Sequence, residues 1–152
     1  MSDLSFNEKS ALGTLIALIV LGSLYASTIA RLWSKDLLGL PAVFGLGVGF
    51  TILLVVILIG YHVLIAAFSK PADDDERDRV IAWRAGNIGG VVLGVTVMTV
   101  VLNIVIGGII GRGFAYELAI SPAKISIALI AAIWLATVVE LTLTLRLYRT
   151  GP

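Results

Sequence analysis

Long uncharged stretches alternate with short clusters of charge along this chain. Ser10 to Ala30 gives 21 residues between Lys9 and Arg31, and Leu37 to Ser69 gives 33 between Asp36 and Lys70. Ala85 to Gly111 gives 27 between Arg84 and Arg112, and a fourth stretch, Ile125 to Leu145, is interrupted once, by Glu140. A helix needs roughly 20 apolar residues to cross the hydrocarbon of a bilayer. The pattern therefore predicts four spans, at about 10–30, 41–68, 85–111 and 125–145. Pro41 suits the first turn of a helix, where its missing N–H costs nothing. Because the second stretch exceeds what a bilayer requires, its helix is expected to tilt or to emerge at one end.

Composition strengthens the reading. Of the 152 residues, 59% are hydrophobic and 14% charged, and the mean hydropathy is +1.04. Soluble domains run at about 45–50% apolar and about 25% charged. A water-soluble globule is excluded, and the expected fold is a single all-α integral membrane domain of four transmembrane helices. The formal net charge of +1 offers no electrostatic footprint for nucleic acid. With no cysteine, disulfides, thiolate metal sites and thiol nucleophiles are also excluded.

Four spans put the N-terminus, the middle loop and the C-terminus on one side. That side holds Lys9, Lys70, Arg77, Arg79, Arg84, Arg146 and Arg149, and the other holds Arg31, Lys35, Arg112 and Lys124. By the positive-inside rule both termini are expected in the cytoplasm. Trp33, Trp83 and Tyr148 fall at span ends, where amphipathic rings anchor at headgroup level. The first stretch does not read as a cleavable signal, because Asp3 and Glu8 accompany Lys9 where a positive n-region belongs. Pro41-Ala42 and Pro122-Ala123 open spans two and four alike, which points to two hairpin repeats related by an axis along the membrane normal.

The most distinctive string is Asp73-Asp74-Asp75-Glu76-Arg77-Asp78-Arg79-Val80-Ile81-Ala82-Trp83-Arg84, after Pro71. Acidic residues at a helix start complement the dipole, and Asp73/Arg77 and Asp75/Arg79 stand four apart with the acid first. A cytoplasmic helical extension over 73–84 is expected, presenting Asp73, Asp74, Asp75, Glu76, Arg77, Asp78, Arg79 and Arg84 as a solvated, partner-facing surface. The acidic run lacks the spaced pattern and central glycine of an EF-hand, so no metal is assigned to it. These residues, with Ile81, Arg84-Ala85, Ile88-Gly89 and Leu93 and the opening Phe6 and Glu8-Lys9, resemble a group of small bacterial four-span membrane proteins of unknown function. Members of that group carry Asp-Glu-Arg-Asp before the third span and often an aromatic residue where this chain has Ala11, Leu12 and Gly90. The resemblance implies a multi-pass protein of the bacterial plasma (inner) membrane and supplies no activity.

Inside the spans, three polar side chains stand out. Glu140 lies six residues before Arg146, about 9 Å of helix. A charge at mid-bilayer costs about 2.5–3.5 kcal/mol on insertion scales, so it must find a partner, face the bundle or be protonated. His62 lies eight residues before Lys70, about 12 Å, at a depth expected to match that of Glu140. A contact between them would either hold the bundle or relay protons. Asn103 is expected to be interhelical glue. Glycines recur every four residues at Gly86, Gly90 and Gly94, at Gly45 and Gly49, and at Gly107 and Gly111. Such spacing lets helix backbones approach closely, within one bundle, which is the favoured expectation, or at an oligomer seam.

No catalytic template is met. There is one histidine, no cysteine and no Gly-x-Ser-x-Gly, the glycines are not followed by Gly-Lys-Ser/Thr, and His62 alone is no cofactor motif. The expectation is a non-catalytic module without metal or cofactor, assembling in the bilayer with copies of itself or with a larger complex. The alternative is a small transporter or proton- or ion-conducting oligomer using Glu140 and His62.

Overall fold

Each uncharged stretch forms a helix in the computed structural model, which describes residues 5–68 and 75–151. The elements are α1 (Phe6–Trp33), α2 (Leu40–Phe68), α3 (Glu76–Ile110), α4 (Gly113–Ile120) and α5 (Pro122–Thr150). All but α4 are long and apolar enough to cross a membrane, and no strand occurs among the described residues. The chain is a multi-pass membrane protein.

Local chemistry sets the helix ends. Ser5 and Glu8 form a capping box: the Ser5 hydroxyl accepts the Glu8 N–H at 3.2 Å and the Glu8 carboxylate accepts the Ser5 N–H at 3.0 Å. Asp75 caps α3 by accepting the Glu76 N–H at 2.7 Å. The helix thus begins at Glu76 rather than near Asp73, and Asp73 and Asp74 lie outside the described residues. The Asp75 carboxylate caps the backbone, and the expected ion pair with Arg79 is not formed among the described residues. At its other end α3 stops on Gly111, whose φ of 67° is a left-handed conformation that glycine adopts without penalty. Gly111 is therefore a helix stop, not a member of a packing ladder. Gly113, with φ 78°, then lets the chain turn back into α4, an element the sequence pattern did not predict. Ser121 caps α5, and Pro122 occupies its first turn. The helix of the fourth span accordingly starts before Ile125 and runs past Leu145 to Thr150.

α5 is the central helix. It packs along α3 on one side and α1 on the other, and it also touches α2, which pairs with α1. α2 and α3 do not pack together, so the α1–α5 contact has no counterpart and a two-fold hairpin repeat does not hold. The second hairpin differs because α4 folds back along the end of α3. Small residues dominate the interior: Ala11, Ala85, Gly89, Ala123, Ala132 and Ala136 are buried. Lipid tails are as apolar as leucine, so helices associate here through close packing rather than water exclusion. Ile81, at 0% exposure, is the large side chain fully enclosed, while Phe44, Val56, Ile59 and Phe68 point outward.

Two bonds from side chain to backbone tie α1 to its neighbours. Trp134 Nε1 donates to Leu18 O at 3.0 Å with its ring against Gly22, and Tyr61 donates to Lys9 O at 2.6 Å with its ring against Gly13. At the end opposite the termini, Ile29, Val43 and Ala123 form a small core. Lys124 sits 5.0 Å over the Trp33 ring and pairs with Glu117 at 2.7 Å.

Candidate functional site: the polar end and the two faces of the third helix

Three helix ends meet at the side of the termini. Asn7 Nδ2 on α1 donates to Asp78 Oδ2 on α3 at 2.9 Å, and the Tyr148 hydroxyl of α5 lies beside the same carboxylate. Arg77 Nη2 donates to Tyr148 O at 2.8 Å, placing a cation on the carbonyl end of α5, where the helix dipole favours it. The start of α1, the start of α3 and the end of α5 therefore share one side of the molecule. Of the charged string, Glu76, Arg77, Arg79 and Arg84 are exposed, Asp78 is half-buried, and Trp83 beside them is 70% exposed.

These contacts also fix depth. With Asn7 level with Asp78, Ser10 at the edge of the first uncharged stretch falls level with Ile81. His62 lies at that edge: its Nε2 is 2.8 Å from the Ser10 hydroxyl and its Nδ1 is 2.7 Å from Leu58 O. A carbonyl can only accept, so Nδ1 carries a proton, and in the neutral ring Nε2 accepts from Ser10. Glu140 instead packs on α3 between Gly86 and Gly89. A Cβ on Gly89 would stand 3.1 Å from its Oε2, and one on Gly86 would stand 3.7 Å from its Oε1. That notch is about 10 Å deeper than Ser10, given 1.5 Å rise per residue. His62 and Glu140 therefore do not meet. They occupy different depths and different helix pairs, because α2 runs out to the end of the molecule while α5 places Glu140 well inside it. Among the described residues the Glu140 carboxylate has no hydrogen-bond or ionic partner.

Asn103 does not bridge helices either. Its amide donates to Thr99 O, one turn back on α3, at 2.8 Å.

The glycines divide by face. Gly107 lies directly against the backbone of α4 at Ala115 and Tyr116, and Gly89 receives the stem of Glu140. Gly45, Gly49, Gly90 and Gly94 would meet nothing within 4 Å if given a Cβ, and Gly86 touches only the tip of Glu140. Most of the four-residue ladder thus faces outward instead of packing within the chain. The seam with α5 is built from Ala85 and Gly89, with Ala132 and Ala136 buried on α5.

One outward polar residue escaped the pattern. Asn87 is exposed and has no hydrogen bond among the described residues. Its signal was its position three residues beyond Arg84, inside an uncharged stretch. Arg79, Trp83, Asn87, Gly90 and Gly94, spaced by three or four, share one side of α3.

Among the described residues no three His, Cys, Asp or Glu side chains converge. The open groove between α2 and α5 is apolar apart from Thr51 and Ser126, whose hydroxyls bond to Gly47 O and Pro122 O of their own helices. Comparison of the chain with protein-family models, curated proteins and solved structures found no match.

Proposed function

We propose that this protein is a non-catalytic assembly module of a bacterial plasma membrane, with both termini cytoplasmic. It associates through the outer face of α3 and the charged residues before it, either with copies of itself or with a larger complex. The observation that carries this reading is the open outer face of α3. Gly90 and Gly94 repeat at the spacing that lets helices approach in lipid, yet none of the described residues packs against them. The exposed Arg79, Trp83 and Arg84 extend that face toward the headgroups, where a partner's polar groups are available.

Particle mass and composition after mild-detergent extraction from native membranes test the proposal. Wild type is expected above monomer mass, and Gly90→Leu, which fills the open face with a bulky side chain, is expected to run as a monomer. A wild-type particle of monomer mass with no companions sinks the proposal.

A second reading is supported by one observation, the Glu140 carboxylate against Gly86 and Gly89, which has no partner among the described residues. In a small proton- or cation-conducting oligomer that group is the binding site. Glu140→Gln then abolishes flux in reconstituted vesicles and leaves particle mass unchanged. In an assembly module the same substitution changes neither.

A further inference from the structure

At the end opposite the termini, the α3–α4 hairpin outruns its neighbours. α1 and α3 run in the same direction with Asn7 level with Asp78, an offset of 71 residues that carries Trp33 to the level of Ile104. α5 runs the other way with Glu140 at Gly89, and sixteen residues along each helix bring Lys124 to the level of Val105. The two registers agree, and Lys124 sits directly over the Trp33 ring. Trp33 therefore marks one level across three helices. It closes a helix whose 21 uncharged residues measure about 31 Å, the thickness of bilayer hydrocarbon. Past that level α3 continues to Ile110, about 8 Å further, before α4 turns back.

The surface beyond Trp33 is not one that water favours. Ile106, Ile109 and Ile110 on α3 and Phe114 and Tyr116 on α4 are exposed, Ile109 at 80% and Phe114 at 66%. A contiguous apolar patch of this kind is normally covered. Glu117 is paired with Lys124 at 2.7 Å, which leaves Arg112 exposed and without an ion pair among the described residues.

We infer that the tip of the α3–α4 hairpin binds a lipid surface: it lies in the headgroup layer of the leaflet opposite the termini, with Ile109, Ile110 and Phe114 among the upper acyl chains and Arg112 on lipid phosphate. Two observations select lipid over a protein partner. The apolar surface of the tip continues that of Val101, Leu102 and Val105, which are exposed within the span, with no charge between them. A lone guanidinium beside apolar and aromatic side chains also matches the layering of a bilayer edge, where phosphates lie just above acyl chains and aromatic rings anchor. Lipids around α3 must then stand higher than those around α1, through local thickening or a tilt of the chain. The inference is independent of the assembly reading, which concerns Arg79 to Gly94.

The chain has no cysteine, so a single introduced thiol carries a nitroxide label to one position. The probe is full-length protein in vesicles of phosphatidylcholine and phosphatidylglycerol. Labels at Ile109→Cys and Phe114→Cys are expected to collide more with oxygen, which concentrates among acyl chains, than with a neutral water-soluble nickel chelate. A label at Lys35→Cys, exposed just past Trp33, is expected to show the reverse, although its level is nearer the hydrocarbon. Adding Arg112→Glu is expected to raise the ratio of nickel to oxygen collisions at Phe114→Cys by about two- to fivefold, up to the worth of one cation at an anionic surface, and Arg112→Lys to leave it near the starting value. Tip labels that collide mainly with nickel place the hairpin in water, and labels that collide with neither place it under protein. Either result overturns the inference, as does a ratio unmoved by Arg112→Glu, and none of the three bears on the assembly reading, which particle mass tests.

Discussion

The two faces of α3 carry similar small residues and meet opposite surroundings. On the inner face Ala85 and Ile81 are fully enclosed, Gly89 holds the Glu140 stem, and Gly107 lies on the backbone of α4. On the outer face, a fraction of a turn away, a Cβ at Gly90 or Gly94 would meet nothing within 4 Å, and Asn87 has no hydrogen-bond partner, among the described residues. A four-residue spacing of small side chains reports that a close approach is sterically allowed. It does not report what approaches. The inner seam is used because α5 presents Ala132 and Ala136 to it, and the outer one has no such complement within the chain.

The largest effect expected from testing this difference lies at Gly107. A Cβ there runs into the Ala115 carbonyl and the Tyr116 nitrogen, which are backbone atoms and cannot rotate aside. Gly107→Val therefore has to push α4 away from α3. Overpacking of this kind costs about 1–3 kcal/mol and sometimes more. The purified variant is expected to lose its folded state at a clearly lower temperature than wild type. Unchanged thermal stability means that α4 does not fold back on α3.

A smaller loss is expected at Gly89. The Cβ of Gly89→Ala would lie 3.0 Å from Glu140 Cβ and 3.5 Å from Ala136 O. Glu140 can swing its carboxylate away, but its Cβ is fixed to the helix, so α3 and α5 must separate by a few tenths of an ångström. Near the lower end of the overpacking range, about 1 kcal/mol, the shift is measurable by thermal unfolding in detergent.

The four spanning helices were legible because a membrane imposes a length on them, and charges such as Lys9, Arg31, Arg84 and Arg112 bound their uncharged stretches. Pro41 and Pro122 lie in the first turns of their helices as their chemistry requires. α4 was not legible. Its eight residues form no span, and its place depends on a close approach to Gly107 that no local pattern encodes. The Glu140–His62 pairing failed for a related reason. Counting depth from the nearest charge on each helix places His62 too deep, because α2 has an uncharged continuation beyond it, and the bond to Ser10 puts the ring at the edge of the first uncharged stretch. Between the candidate glycine ladders, 86/90/94 was conspicuous because it is all glycine, whereas the seam in use mixes alanine and glycine at Ala85 and Gly89. Telling them apart requires the facing residues of α5, Ala132 and Ala136, and therefore the fold.

The smallest effect on the fold is expected one residue along, at Gly90→Ala. No atom lies within 4 Å of the added Cβ, and alanine is the better helix former, by roughly 1 kcal/mol in soluble helices. Thermal stability of the monomeric fraction is therefore expected to remain within about 0.5 kcal/mol of wild type or to rise. Set beside Gly89→Ala, the substitution moves the same methyl group about 100° around α3 and is expected to turn a loss into none. If both positions lose stability equally, the rotation of α3 against α5 differs from the one described, and Asn87 no longer faces outward. If Gly89 alone is sensitive, the outer face is free of intrachain duty, and any loss of assembly in Gly90→Leu belongs to a partner rather than to the fold.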